Sequence, residues 1–294
     1  GNWGQVLGHL ANSAIYESPP QVLRQALIDA GLAEENTVFS PLTGGRTNRL
    51  WRFSYDDKDL VCKMFSQAYT PLFPNDGSVE AETLAHLRDT ELAPELVTLI
   101  LLPKAVALVY HHLDGKVWSS AVEPVAQLLS RVHRVGLFPL RMLAKDPLDI
   151  LRQGEAMLSQ MQSSEADHLL RLRPVPPTSA FEQVFLHGDP VPSNIVQSGN
   201  SLRLIDWQCP AIGDPTEDMA LFLSPAMQHL FGGRILTPHD LSAFLTAYAN
   251  PARRTRYLAL APLYHWRMAA YCLWKIEHGD PEYKAGYALE LQRL

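Results

Sequence analysis

His187-Gly188-Asp189-Pro190-Val191-Pro192-Ser193-Asn194, followed by Leu204-Ile205-Asp206-Trp207, is the stretch on which the reading of this chain turns. Between the two segments, residues 194–197 and 201–205 read as strands, and Gly199-Asn200 suits a tight turn. Folding about that turn pairs Ser198 with Ser201, and counting back sets Asn194 beside Ile205. Asn194 and Asp206 therefore meet at the open end of one hairpin, with Asp189 in the irregular loop just before it. A carboxylate and an amide carbonyl are oxygen ligands of the kind a hard cation such as Mg2+ takes. A second carboxylate is placed to accept the proton of an attacking hydroxyl. The cluster suits phosphoryl transfer, with Asp189 as base, Asn194 as metal ligand and Asp206 as principal metal ligand. A polar loop capping a structural hairpin is the competing account.

The spacing H-x-D-x-x-x-x-N, a short hairpin and then a hydrophobic residue, Asp and Trp resembles the aminoglycoside phosphotransferase and choline kinase superfamily. Gly213-Asp214-Pro215-Thr216-Glu217-Asp218-Met219-Ala220 is similar to that family's G-D-P-x-x-D-L-A segment. The resemblance implies an α+β, protein-kinase-like fold, with a small β-rich N-lobe (1–112) and a larger, mostly helical C-lobe (113–294). It implies ATP and Mg2+ as cofactors, and supporting roles for His187, Asp214 and Asp218. His133 corresponds to a helix histidine of the family and reads as a structural hydrogen-bonding residue. The chain departs from many relatives at Val191 and Ser193, where His and Gly are common. Gln208 also departs, where an acid is common. The ligand set is intact; the departures bear on the acceptor.

Such a family needs nucleotide machinery upstream. Leu42-Thr43-Gly44-Gly45-Arg46-Thr47-Asn48 is a polar turn between strands, and Gly44 and Gly45 let backbone amides approach phosphate. A plain hairpin turn accounts for it equally. Lys63 stands mid-strand among Val61, Cys62, Met64 and Phe65. Alone it reads as solvent-facing; the resemblance makes it the lysine that contacts the α- and β-phosphates. Its partner is then Glu80 on the next helix, followed by Leu84 and Leu87, with Glu82 as the alternative. Tyr110, His111 and His112 read as the hinge whose backbone meets adenine. No Cys or His stands at a spacing that would make His111-His112 a metal site.

Local signals fill in the rest. Helices are expected over 19–30 (capped by Ser18, ended by Gly31), 79–88, 122–135, 147–161 and 254–277, with another opening at Thr237-Pro238. Strands are expected at 50–53 and 60–65 about the turn Asp56-Asp57-Lys58, and at 96–101 and 105–110. Residues 171–179, rich in Pro, read as a loop.

The 294 residues suit two packed lobes, and the net charge of -6 gives no general reason to bind nucleic acid or an anionic membrane. Cys62, Cys209 and Cys272 are odd in number and far apart, which reads as buried thiols in a reducing compartment, hence a cytoplasmic protein. Residues 1–10 lack a basic run followed by a long apolar one, so no signal peptide is expected. No apolar stretch reaches a membrane-spanning length. A monomer or homodimer is expected.

The acceptor is less legible. Tyr264, His265, Trp266, Tyr271 and Trp274 crowd one helical stretch, and Trp266, Tyr271 and Trp274 are spaced to share a face. An aromatic face attracts quaternary ammonium groups; an ordinary core face accounts for the same spacing. The run 264–294 resembles small kinases acting on choline, ethanolamine or thiamine, and the C-terminal half lacks the dense acidic cluster an aminoglycoside pocket would need. A choline-, ethanolamine- or thiamine-like alcohol is therefore favoured over an aminoglycoside or sugar. A catalytically silent nucleotide- or partner-binding protein of the same fold would have lost Asp189, Asn194, Asp206 or Lys63, and none is lost. A protein kinase would carry an activation segment ending in Ala-Pro-Glu. A metal hydrolase would need more histidines near the cluster.

Overall fold

The computed structural model of the chain describes residues 18–43 and 47–294. It divides into two compact units: Gly1–Thr70 with Pro74–Asp114, and Pro71–Phe73 with Gly115–Leu294. The expected division after residue 112 lies two residues before this one, and it did not foresee that Pro71–Phe73 belongs to the second unit.

In the first unit, helix α1 (Gln21–Asp29) is followed by strands β1 (Ser40–Leu42), β2 (Arg49–Tyr55) and β3 (Lys58–Met64). Helix α2 (Gly77–His86) and strands β4 (Leu96–Leu101) and β5 (Val106–His111) complete it. The sheet is antiparallel in the order β1-β2-β3-β5-β4. The β2–β3 turn works because Asp56 and Asp57 both take positive φ (51° and 58°), the twist a two-residue hairpin requires. Leu23 and Leu27, one helical turn apart, press α1 onto a core of Trp51, Phe53, Leu60, Cys62 and Val109. Ser18 does not cap this helix: Pro20 stands at the N-cap without a side-chain bond. Strand alternation commits Leu60, Cys62 and Met64 to that core and turns Val61 and Lys63 to the other face.

The second unit is mostly helical. Strand β6 (Lys116–Val117) precedes helices α3 (Glu123–Val132), α4 (Pro147–Leu158) and α5 (Ser164–Arg171). Strand β7 (Val184–Leu186) leads into a 3-10 turn (Pro192–Asn194), then β8 (Ile195–Ser198), β9 (Ser201–Leu204) and β10 (Ala211–Gly213). Helices α6 (Thr216–Leu223), α7 (Pro225–Gly232), α8 (Pro238–Tyr248), α9 (Pro251–Glu277) and α10 (Tyr283–Leu291) close the chain. Its core gathers Ile150, Met157, Leu169, Leu263, Trp266 and Tyr283 around α9. Thr237 caps α8 in a reciprocal capping box with Asp240. The short elements β6, β7, β10 and α5 carry too few residues for a periodic signal, and their sequences were not read as structure.

Candidate active site

The hairpin is in the expected register. Ser198 pairs with Ser201 and Ile195 with Leu204, and Gly199 takes φ 60° at the turn. The Ile205 amide donates to the Asn194 carbonyl at 2.9 Å, which sets Asn194 next to the residue before Asp206. Asn194 is the last residue of the 3-10 turn rather than the first of a strand, held by its amide on the Val191 carbonyl (2.9 Å).

One side chain ties loop to hairpin. His187, fully buried, accepts at Nδ1 from the Asp189 amide (3.1 Å). Its Nε2 therefore carries the proton and donates to the Ile205 carbonyl (2.9 Å). Asn194 Nδ2 donates to the Asp189 carbonyl (2.9 Å) and reaches its Oδ2 at 3.4 Å. With that nitrogen engaged, Oδ1 is the Asn194 atom suited to a cation. Asp206 itself takes φ 58°, a left-handed conformation that costs a non-glycine residue of order 1–3 kcal/mol and clusters at functional sites. Trp207, fully buried, anchors it by donating from Nε1 to the Leu204 carbonyl (2.8 Å) with its ring edge-on to His187 (4.4 Å).

Asp218 supports the loop from below. Its Oδ2 accepts from the His187 amide (3.0 Å) and its Oδ1 from the Gly188 amide (2.9 Å). His133 Nε2 donates to the same Oδ2 (2.9 Å), and His133 Nδ1 meets the Tyr248 hydroxyl (2.8 Å). Burial alone would raise the Asp218 pKa; the bonds from His133 and Gly188 outweigh it and hold the carboxyl below the ordinary range. Gly188 is at φ 85°, where a Cβ would fall 1.8 Å from the Cys209 carbonyl oxygen. Asp214, also buried, accepts from the Thr216 amide and hydroxyl and from Arg256.

In the first unit, Lys63 Nζ lies 3.0 Å from Glu80 Oε2 and 3.3 Å from Oε1, with both side chains almost wholly buried. Glu82 is exposed, so Glu80 is the partner. Asp76 caps α2 through the Ser78 and Val79 amides and fixes where Glu80 falls. The hinge reading changes in one respect. The His111 amide donates to the Glu95 carbonyl and the His112 amide to the Asp59 carbonyl, both at 2.9 Å, so neither is left for a base. Tyr110 is buried in the sheet. Gly44 and Gly45 lie outside the described residues.

The three aromatics separate. Trp266 is fully buried, donates to the Leu169 carbonyl (2.7 Å) and packs where Gly154 leaves room for its ring. Trp274 stacks on His278 at 3.6 Å and donates to Gln160. Both are core. Tyr271 meets Phe73 edge-on at 5.0 Å, and its pKa is pushed well up by burial first and then by the charges of Tyr283 and Asp189. A cavity of about 190 Å3 opens in this unit, lined by Phe73, Arg141, Gly188, Glu217, Arg267 and Met268 among others. Of these, Gly188 and Glu217 stand inside the two sequence motifs without a role of their own, and Phe73, Arg141, Arg267 and Met268 carry no local signal. These four come from separate segments of the chain and form no motif.

A model of the phosphotransferase enzyme family matches residues 38–260, more than half of the chain, a span that includes Lys63, Glu80, Asp189, Asn194, Asp206 and Asp218. The chain belongs to the phosphotransferase enzyme family. Solved structures share this phosphotransferase's fold. A choline/ethanolamine kinase family protein from Mesorhizobium loti is 17% identical at TM-score 0.67, covering 92% of this chain and 91% of its own. The choline kinase LicA from Streptococcus pneumoniae is 17% identical at TM-score 0.65, with coverage of 92% and 98%. A thermostable mutant of the aminoglycoside phosphotransferase APH(4)-Ia, in ternary complex with AMP-PNP and hygromycin B, is 12% identical at TM-score 0.64, with coverage of 93% and 97%. No curated protein sequence matches the chain. The α+β, protein-kinase-like fold that the resemblance implied is the fold observed, and the phosphotransferase is a small-molecule kinase. No helix among the described residues is long and apolar enough to cross a membrane.

Proposed function

We propose that this phosphotransferase moves the γ-phosphate of ATP, with Mg2+, to the hydroxyl of a small alcohol. The observation that carries the reading is the joining of Asp189, Asn194 and the approach to Asp206 through His187 and the Ile205–Asn194 bond. Asp189 accepts the hydroxyl proton as the bond to phosphorus forms. Asn194 Oδ1 and the Asp206 carboxylate make an oxygen donor set that fits Mg2+, which when bound would offset phosphate charge. Lys63, oriented by Glu80, contacts the phosphates. Adenine recognition falls to groups other than the His111 and His112 amides.

A small acceptor, of the size of choline, ethanolamine or thiamine, is favoured over an aminoglycoside or sugar. The 190 Å3 cavity falls short of the roughly 300–1,000 Å3 that drug-sized ligands occupy. The relatives named for choline and ethanolamine point the same way. The aromatic argument for a quaternary ammonium now rests on Tyr271 alone, since Trp266 and Trp274 are core. The test is transfer of labelled γ-phosphate to choline, ethanolamine, thiamine, amino sugars and hygromycin B, with Asp189→Ala as control. Turnover of one small alcohol, lost in the control, is expected. Absence of both transfer and nucleotide binding would favour a silent member of the fold.

A further inference from the structure

The charged groups around the cavity are not balanced. Arg267, buried, donates through both terminal nitrogens to Glu217, at 3.2 and 2.5 Å. Glu290 accepts from the Ser224 hydroxyl and the Ala226 amide, and His265 Nδ1 lies 2.6 Å from it. Each of these side chains has its hydrogen-bond partners, and Arg267 has a carboxylate.

Arg141 does not. One terminal nitrogen donates to the Cys209 carbonyl at 3.0 Å, and the other reaches the Leu72 carbonyl at 3.4 Å. Nε is buried with no hydrogen-bond partner. Among the described residues no carboxylate forms an ion pair with it. Carbonyl dipoles satisfy donors but bring no counter-charge, and a half-buried cation without one keeps most of its desolvation cost. Burial accordingly pushes the Arg141 pKa below its ordinary value, helped by Arg267, and Cys209, Glu217 and Asp218 do not offset it. A guanidinium stays charged regardless and has five N–H donors in a fork that matches a carboxylate.

We propose that the cavity takes an alcohol that also carries a carboxylate, and that Arg141 holds that carboxylate. The proposal rests on the phosphotransfer reading above and names the acceptor's class. Gly188, on the wall of the cavity, is the residue before the proposed base, so an acceptor there lies beside the loop that bears Asp189. Phe73, Leu221 and Met268 supply apolar surface for the carbon frame. A single uncompensated positive charge matches one negative charge. A phosphate, with about two, would leave an excess beside Glu217 and Glu290.

Three matched pairs isolate the carboxylate: serine against ethanolamine, carnitine against choline, and 4-hydroxybutyrate against 1,4-butanediol. In the wild-type protein the carboxylate member of at least one pair should have the higher kcat/KM by about tenfold or more, the scale of a desolvated charge pair. Arg141→Met should cut that ratio by about tenfold, and Arg141→Lys, which keeps the charge but not the fork, should fall between. Isothermal titration with the same six compounds reads binding apart from turnover. Equal or weaker binding of every carboxylate by the wild-type protein overturns the proposal, as does a preference that survives Arg141→Met. Titration with Mg-ATP in the same samples tests the phosphotransfer reading separately. If nucleotide does not bind, that reading fails while the cavity's selectivity is still decided by the compound titrations.

Discussion

Lys63 and Glu80 form a buried ion pair, Nζ to Oε2 at 3.0 Å, between the C-terminal end of β3 and the first turn of α2. Removing one partner leaves the other charge buried and alone, which costs about 3–5 kcal/mol. Lys63→Met should therefore destabilise the protein and abolish transfer. The double variant Lys63→Met with Glu80→Leu should recover much of the stability and none of the activity. Urea denaturation and phosphotransfer assays on the three proteins check this. Recovered activity in the double variant would show that the pair serves folding alone.

The two aspartates should fail differently. Asp189→Ala should lower kcat by about 10²–10⁴, the usual worth of a positioned base, with Mg-ATP affinity changed only a few-fold. Asp206→Ala should remove the dependence of nucleotide binding on Mg2+. Titrations of ATP with and without Mg2+ separate the two, and normal turnover in either variant would sink the role given to that residue.

Acid should loosen the second unit. Glu182 is held below the ordinary carboxylate range by its bond to Arg253. Asp218 is held low despite a burial that opposes it, by His133 and Gly188. A carboxyl with a depressed folded pKa binds protons more weakly than the unfolded chain does. Its stabilisation is complete above the unfolded value, about pH 4. It is lost as pH falls through the folded value. Denaturation curves at several pH values between 7 and 3 should show that decline, and Asp218→Asn should flatten it while lowering stability at pH 7.

Gly188 and Trp266 give backbone and core tests. Gly188→Ala puts a Cβ against the Cys209 carbonyl at a left-handed φ, so the loop bearing Asp189 cannot keep its path. Activity should be lost. Trp266→Ala should cost about 3–5 kcal/mol as a core truncation. Trp266→Phe should leave the acceptor KM unchanged, as measured with whichever alcohol turns over. A large KM shift with preserved stability would return Trp266 to the acceptor site.

The hairpin was legible because strand pairing about a two-residue turn is arithmetic: once Gly199-Asn200 is the turn, Asn194 must reach Ile205. The turn Asp56-Asp57-Lys58 between β2 and β3 was legible from its residue types, and the start of α8 from the cap Thr237 and Pro238 after it. The Lys63–Glu80 pair was half legible. Strand alternation allowed Lys63 to face either way, and only the docking of α2 on that face buried it and left Glu82 outside.

By itself, the sequence determined the family and the hairpin spacing that brings Asn194 beside the residue before Asp206, with Asp189 in the loop ahead of it. The hairpin follows from short-range spacing, whereas the supporting roles of Asp214 and Asp218 came from the resemblance and rest on contacts some thirty residues or more apart in the chain. The tertiary structure decided the rest. It sent Trp266 and Trp274 into the core, because helical spacing shows which residues share a face and not what that face meets. It committed the His111 and His112 amides to the sheet. And it brought Arg141 to a cavity wall beside Gly188 with no counter-charge, a juxtaposition of segments far apart in the chain that no local pattern encodes.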